Sequence, residues 1–406
     1  MKNTSYALIF SWFFLLLTLP AHAQDSLRIM SYNLLMYPGG TSYSRQADLQ
    51  YVLQSYTPDI LGVCELETEQ AADDILTGIL QNIHPGFRRG RFEMDHSNPN
   101  GTLHQLIFYN NAKLELVRQG YVTTQVRDIN HYTFRLRTAA GDTLDVYELH
   151  LKASGGTTNE QKRHNMILRL EQSLDSLPAG RYVIVMGDFN LYSSSEPAYT
   201  EMTDPNHHIP LHDAANRPGS WHNNSAFADV HTQSTHRNNN APYDNFVGGG
   251  LDDRFDLIML SGNLLDDTQS LHYRPGSFTP YGNNGNCFNG NINDSNCSGT
   301  FSQTLRNHLF EISDHLPVVL TLVSTQNFAV NTTRIPQIRI FPNPAGEYIY
   351  WQSEAIAGQL EIYAPTGQKV LQCQAQAEKC YIGRLKPGLY YVHFQGTGLA
   401  IPLVKR

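Results

Sequence analysis

Basic residues are scarce here: 29 Lys and Arg stand against 37 Asp and Glu over 406 residues, a net charge of −8. That balance excludes a uniformly basic protein that coats nucleic acid, leaving local patches such as Arg88-Arg89-Gly90-Arg91, which reads as a solvated turn. Long apolar runs are also missing. Ala7 to Leu19 is too short for a comfortable membrane span, and no later segment reaches its length, so no stable membrane span is expected. Lying between Lys2 and Ala21-His22-Ala23, it reads as the core of a secretory signal peptide over residues 1–23. Cysteines are few as well, and the five fit an oxidising compartment if four pair locally. Proximity pairs Cys287 with Cys297 around an Asn/Gly-rich loop and Cys373 with Cys380 around a hairpin, leaving Cys64 as an inert core thiol.

What remains is long enough for a large domain and a smaller one. From Ser26 to about Val323, strands rich in Val, Ile, Leu, Tyr and Phe alternate with helical stretches and polar loops. Apolar residues at three- and four-residue spacing predict helices over Ser44 to Ser55, Glu69 to Asn82 and Asn159 to Ser176. Mixed elements in this order suit a two-sheet sandwich flanked by helices. The expected fold class is therefore α+β, a four-layer α/β/β/α sandwich over 24–325, then a linker over 326–337 and a small all-β sandwich over 338–406. Turn signals at Pro365-Thr366-Gly367 and Lys386-Pro387-Gly388 punctuate that last module.

Two short runs carry most of the chemistry. Gly187-Asp188-Phe189-Asn190 follows the apolar Tyr182 to Met186, and Ser313-Asp314-His315-Leu316-Pro317 precedes the apolar Val318-Val319-Leu320. A rigid sheet presents polar groups at its edge in this way. Buried carboxylates are costly unless paired or bound to a cation, so two such sites suggest a metal-assisted centre. Four more positions join them: Asn33 after Leu27 to Tyr32, Glu65 at the end of Ile60 to Cys64, His150 after Tyr147-Glu148-Leu149, and Asp256 within Arg254-Phe255-Asp256-Leu257-Ile258.

Taken in order, these six segments resemble the endonuclease/exonuclease/phosphatase superfamily, over roughly Arg28 to Leu322. The resemblance implies hydrolysis of a phosphate ester with a divalent cation, usually Mg2+, with Mn2+ or Ca2+ as substitutes. A hard cation prefers oxygen ligands, which points to Glu65 and Asp314 with the Asn33 amide nearby. Asp188 and Asn190, two apart in an extended segment, project the same way and can act together on an attacking water. His315 is the rival base, since Asp256 would fix its tautomer. His150 would be a second imidazole on the phosphate, and Arg127 and Arg254 are candidate phosphate contacts.

The last module resembles the C-terminal sorting domain of type IX secretion substrates of Gram-negative bacteria. The residues concerned are Phe341-Pro342-Asn343-Pro344, Leu360 to Tyr363 before Gly367-Gln368-Lys369-Val370, Leu385 to Tyr390, and the basic end Lys405-Arg406. This implies a partner in the secretion machinery, passage through the periplasm, and release or anchoring at the cell surface. A monomer is expected.

Other patterns are incomplete. His207, His208, His212, His222, His231 and His236 match no closed zinc spacing and read as a substrate-facing surface loop, with Trp221 and Tyr243 available for stacking. Asn283 to Asn296 offers Asp294 as its only acid, against the several a calcium loop needs. Leu251-Asp252-Asp253-Arg254 lacks the Trp-Cys of inositol phosphatases. The segment between Asp256 and Asp314 is Asn/Gly/Ser-rich rather than an apolar hairpin, which favours a polar polymer, DNA, over a lipid. An extracellular deoxyribonuclease-like endonuclease ranks first, a sphingomyelinase-like or other phosphoesterase second, and a non-catalytic surface binding module last.

Overall fold

Continuous apolar runs become the inner strands. All seven residues of Tyr182–Asp188 are buried, and Ile60–Leu66, Asp256–Ser261 and Val318–Ser324 are nearly as enclosed. Strands covered on both faces read this way. The structure, a computed structural model, describes residues 25–39, 44–238, 246–328, 339–352, 359–374, 379–394 and 400–406. The expected signal peptide, Tyr243 and 329–337 of the expected linker lie outside them. The chain forms two compact units, Met1–Ala329 and Val330–Arg406.

The strands of the first unit are β1 (Ser26–Tyr37), β2 (Ile60–Leu66), β3 (Phe87–Arg89), β4 (His104–Asn110), β5 (Leu114–Val122), β6 (Ile129–Leu136) and β7 (Thr143–His150). They continue with β8 (Tyr182–Asp188), β9 (Leu211–Asp213), β10 (Asp256–Ser261), β11 (Leu271–Tyr273), β12 (Thr279–Pro280) and β13 (Val318–Ser324). One sheet runs β11-β13-β1-β2-β4-β3, with β12 on β13, and the other β5-β6-β7-β8-β10-β9. The helices are α1 (Gln46–Tyr56), α2 (Glu69–Ile75), continued through a π-turn into α3 (Gln81–Ile83), α4 (Thr157–Leu174), α5 (Pro197–Met202) and α6 (Gln303–Ile312).

Three apolar clusters separate four layers. Ile29, Ile107, Phe134, Ile184, Ile258 and Leu320 fill the space between the sheets. Val52 of α1, Ile75 of α2 and Leu309 of α6 close over the first sheet, and Met166 and Leu170 of α4 with Met202 of α5 close over the second. This is the α/β/β/α sandwich.

Strand direction decides where the polar groups go. β1 and β2 are parallel, joined through α1, and β7 and β8 are parallel, joined through α4, as such pairs require. β10 and β13 run antiparallel to their neighbours β8 and β1. Their first residues therefore reach the edge where β1, β2, β7 and β8 end. In the second sheet His150, Asp188 and Asp256 stand opposite one another in a single cross-strand row.

The expected histidine-rich surface loop is exposed at His208, His212 and His222, but parts of it fold inward. Trp221 is fully buried, donates its indole N–H to the Leu191 carbonyl at 2.7 Å, and packs in the cluster under α4 and α5. It is therefore not available to stack on a ligand. His231 and His236 are buried too, one on the Trp221 carbonyl and the other stacked on Phe310. His207 and His222 pair with carboxylates and His208 with a carbonyl, so the imidazoles do not converge.

The second unit is all-β. Its strands are β14 (Arg339–Phe341), β15 (Tyr348–Gln352), β16 (Gln359–Tyr363), β17 (Lys369–Gln374), β18 (Lys379–Tyr381), β19 (Gly388–Phe394) and β20 (Ala400–Lys405). They form sheets β14-β15-β18 and β17-β16-β19-β20 around Ile349, Trp351, Ile362, Val392 and Phe394. Cys373 and Cys380 are bonded, yet β17 and β18 belong to different sheets. The bridge joins the two sheets rather than closing a hairpin. Cys287 and Cys297 close the Asn/Gly-rich loop, and Cys64 is free and buried.

Gly187 is required by this geometry. Its φ is +138°, and a Cβ there would lie 1.9 Å from the Leu149 carbonyl oxygen of the parallel neighbour. Gly187→Ala is expected to cost ~3 kcal/mol or more, from strain and overlap together. Gly120→Ala, where an added Cβ meets nothing within 4 Å, is the neutral control. Thermal melts of both variants check this, and equal midpoints would contradict it.

Candidate active site

Ten polar positions were marked from the sequence, and the structure gathers eight at one sandwich edge, with Arg127 alongside. Asn33 sits where the β1–β2 register breaks, and its Nδ2 donates to Glu65 Oε1 at 3.0 Å and Asp188 Oδ2 at 3.2 Å. His150 Nε2 lies 3.5 Å from Asp188 Oδ2 and 3.8 Å from Glu65 Oε1. Across from them, His315 Nδ1 is 2.8 Å from Asp256 Oδ2, and its Nε2 is 3.8 Å from Asp188 Oδ2 and 4.0 Å from Asp314 Oδ1. The Asn190 backbone N–H donates to Asp188 Oδ1 at 2.9 Å. Asn190 and Glu65 hold φ of 52° and 58°, and left-handed backbone at non-glycine residues is the kind of strain that persists where the surroundings impose it.

The electrostatics follow from burial. Asp188 is pushed up to about 7, first by loss of water, then by Asp256 and Glu65, against the pull of His315. Burial likewise raises Asp314 to about 6, with Glu65 adding to it. His150 is held well below the usual imidazole range, by burial first and then by Arg127, His315 and Lys152, so it is a neutral ring. Burial also works against a charged His315, but Asp256, Asp188 and Asp314 carry it well above the ordinary value. One imidazole is thus neutral and one cationic within the same cluster.

The donor set suits a divalent cation. Ligand atoms of Glu65, His150 and Asp188 lie within 4.8 Å of one another. Asp314 Oδ2 accepts from the Val247 N–H at 3.1 Å and the Gln233 amide at 3.2 Å, while its buried Oδ1 has no hydrogen-bond partner. Asp314 lies outside that close group, and its orphaned oxygen, with the Glu65 charge acting on it, adds a further hard-ligand feature. Asn33 differs from the expectation: its Oδ1 already accepts the Leu35 N–H at 2.9 Å, and its amide orients Glu65 and Asp188.

The two arginines separate. Arg127, half-buried, donates to the carbonyls of His150 and Leu151 beside the cluster. Arg254 turns the other way, a correction to its expected phosphate contact. Its fully buried guanidinium grips both oxygens of Asp213 at 2.6 and 2.8 Å.

Two neighbours had no sequence signal. Gln233 comes from a stretch without periodicity, and its amide nitrogen lies 2.8 Å from His315 Nε2. Glu148, one residue before Leu149-His150, is wholly buried under the site, accepts from Ser31 Oγ at 3.2 Å, and is held neutral by burial. Gly62 makes room for it, since a Cβ there would sit 2.0 Å from Glu148 Oε2.

Residues 30–315 match the Endonuclease/Exonuclease/phosphatase family model. The chain belongs to the endonuclease/exonuclease/phosphatase family. Its members hydrolyse phosphate esters with a divalent metal, in keeping with the carboxylate cluster. Residues 339–401 match the secretion system C-terminal sorting domain, which marks the protein for type IX secretion to the cell surface or beyond. Among the described residues no helix is long and apolar enough to cross a membrane.

The fold is similar to the human Nocturnin catalytic domain, solved with a bound sulfate anion, at 17% identity and TM-score 0.50 over 74% of this chain and 98% of that one. A family protein from Bacteroides thetaiotaomicron covers the same shares at 17% identity and TM-score 0.45. Sphingomyelinases of Mycobacterium tuberculosis and Mycobacterium bovis are 37% identical over 73 residues, 18% of this chain and 14% of theirs. This chain thus aligns with only a small part of those curated relatives.

Two substitutions separate chemistry from support. Asp256→Asn keeps the shape but presents the wrong group to His315, and is expected to lower turnover by about 10²–10⁴ with a near-normal melt. Arg254→Met strands the Asp213 carboxylate and is expected to cost roughly 3–5 kcal/mol of stability, read by denaturant titration, with KM unchanged in the folded protein.

Proposed function

We propose that the first unit is a secreted, divalent-cation-dependent phosphodiester hydrolase acting on extracellular DNA as an endonuclease. The observation that carries this is the continuous line Asp256–His315–Asp188, with 2.8 and 3.8 Å steps, ending beside Glu65, Asn33 and the orphaned Asp314 oxygen. Glu65 and Asp314 would hold the cation, Mg2+ by the hardness of these ligands, which would supply charge neutralisation at phosphate oxygens.

The side chains do the rest. Asp188, whose affinity for a proton lies near neutrality, takes a proton from the attacking water, with Asn190 beside it to orient that water. His315, kept cationic and fixed through Nδ1 by Asp256, offers its Nε2 to a nonbridging phosphate oxygen. His150, neutral and next to Asp188, presents a second nitrogen without adding charge.

The rim favours a polyanion. Arg127 and Lys152 both press their charge on His150. Across Gly262 to Ser313 the only exposed large apolar side chain is Leu265, so that segment presents no apolar hairpin to a lipid surface. The match of 73 residues to sphingomyelinases supports a lipid phosphodiesterase as the second reading.

The test is a panel of double-stranded DNA, single-stranded DNA, RNA, sphingomyelin and bis-p-nitrophenyl phosphate, with Mg2+ or EDTA. DNA is expected to be cut with Mg2+, with EDTA and His315→Ala each abolishing turnover. Sphingomyelin hydrolysis without DNA cleavage would install the second reading, and inertness toward all five would end both.

A further inference from the structure

Gln233 is held against the site by its backbone as well as by its side-chain contacts. It bridges to both Asp253 and His315, its N–H donating to the Asp253 carbonyl at 3.0 Å and its own carbonyl accepting from Asp252 and Asp253 at 2.9 and 2.8 Å. On either side, the Leu316 N–H donates to the Thr232 carbonyl at 2.8 Å and the Thr235 N–H to the Asp314 carbonyl at 3.0 Å. The main chain is pinned to the segment that carries Asp314 and His315.

That side chain occupies a chemically important place. His315 Nδ1 is committed to Asp256, so Nε2 is the ring nitrogen left to face a substrate, and the Gln233 amide nitrogen lies 2.8 Å from it. The same nitrogen donates to Asp314 Oδ2 at 3.2 Å. His315 and Asp314 are buried while Gln233, in contact with both, is partly exposed. Asp314 Oδ2 also accepts the Val247 N–H at 3.1 Å and would keep a partner if the amide moved.

We infer that Gln233 is a substrate-binding residue: its amide fills, in the free protein, the position beside His315 Nε2 that a nonbridging phosphate oxygen takes, and then donates its N–H to that oxygen. The inference rests on the phosphoester reading above. The exchange is favourable because the amide beside His315 Nε2 has only Asp314 Oδ2 as an acceptor, whereas a phosphate oxygen there would accept a charge-assisted N–H bond from it. A neutral amide suits the place, since it can donate to the Asp314 carboxylate and to the phosphate without repelling either. Carboxylate at this position would repel both.

The experiment uses the full chain with Mg2+, titrating inorganic phosphate by calorimetry and following bis-p-nitrophenyl phosphate hydrolysis. Gln233→Ala is expected to weaken phosphate binding and raise KM about tenfold, with kcat within about threefold and an unchanged melt. Gln233→Glu, of the same shape, is expected to be weaker still, and repeats the test if the smaller side chain disturbs the fold. Wild-type KM and phosphate affinity in both variants would overturn the inference while leaving the hydrolase reading intact. So would a fall in kcat at constant KM, which would make Gln233 a prop for His315. A wild-type protein that neither binds phosphate nor turns over would remove the hydrolase reading and this inference with it.

Discussion

Everything at this site depends on one electrostatic constraint: four carboxylates, Glu65, Asp188, Asp256 and Asp314, crowd one sandwich edge, three of them almost wholly out of water. Isolated buried charges of this kind are strongly unfavourable. The fold meets the cost with specific partners. His315 answers Asp256, the Asn33 amide answers Glu65 and Asp188, and the Val247 N–H with the Gln233 amide answers one oxygen of Asp314. The remaining oxygen of Asp314 has no hydrogen-bond partner and only the His315 ring 4.0 Å away.

The sign of the linkage follows. Asp188 and Asp314 sit near 7 and 6 in the fold against 3.8 as free side chains, so burial favours their protonated forms. Their contribution to stability is fully present below about pH 4 and is lost as pH rises through 6 to 7. Under working conditions the cluster is therefore at odds with itself unless positive charge enters it.

Much of this was legible in the chain because β-strands convert sequence into position so directly. An apolar run that stops at a carboxylate or imidazole places that group at a sheet edge, which is how Glu65, His150, Asp188 and Asp256 could be marked before their distances were known. Arg254 shows the limit. Two residues before Asp256 it resembles a phosphate ligand, but its partner Asp213 lies 41 positions upstream on the outermost strand, and no local pattern announces that pairing. Gln233 and Trp221 were hidden for a related reason: in a stretch without period, a side chain's burial is set by long-range packing. Cys373 and Cys380, seven apart, looked like a hairpin because spacing alone does not reveal that the chain changes sheets between them. Helix α6 was not among the predicted helices; Ser302 caps the Leu305 N–H, and Leu305, Leu309 and Ile312 are buried on it.

The central claim, a carboxylate crowd built to be completed by a divalent cation, is tested most directly by melting the full chain at pH 8 against increasing Mg2+. A cation bound only by the fold, at a hundredfold excess over its dissociation constant, adds about 2.7 kcal/mol. The wild-type midpoint is expected to climb by several degrees with Mg2+, and the climb to shrink in Asp314→Asn, which removes the charge behind the orphaned oxygen. A wild-type midpoint indifferent to Mg2+, or an equal climb in both proteins, would contradict the account.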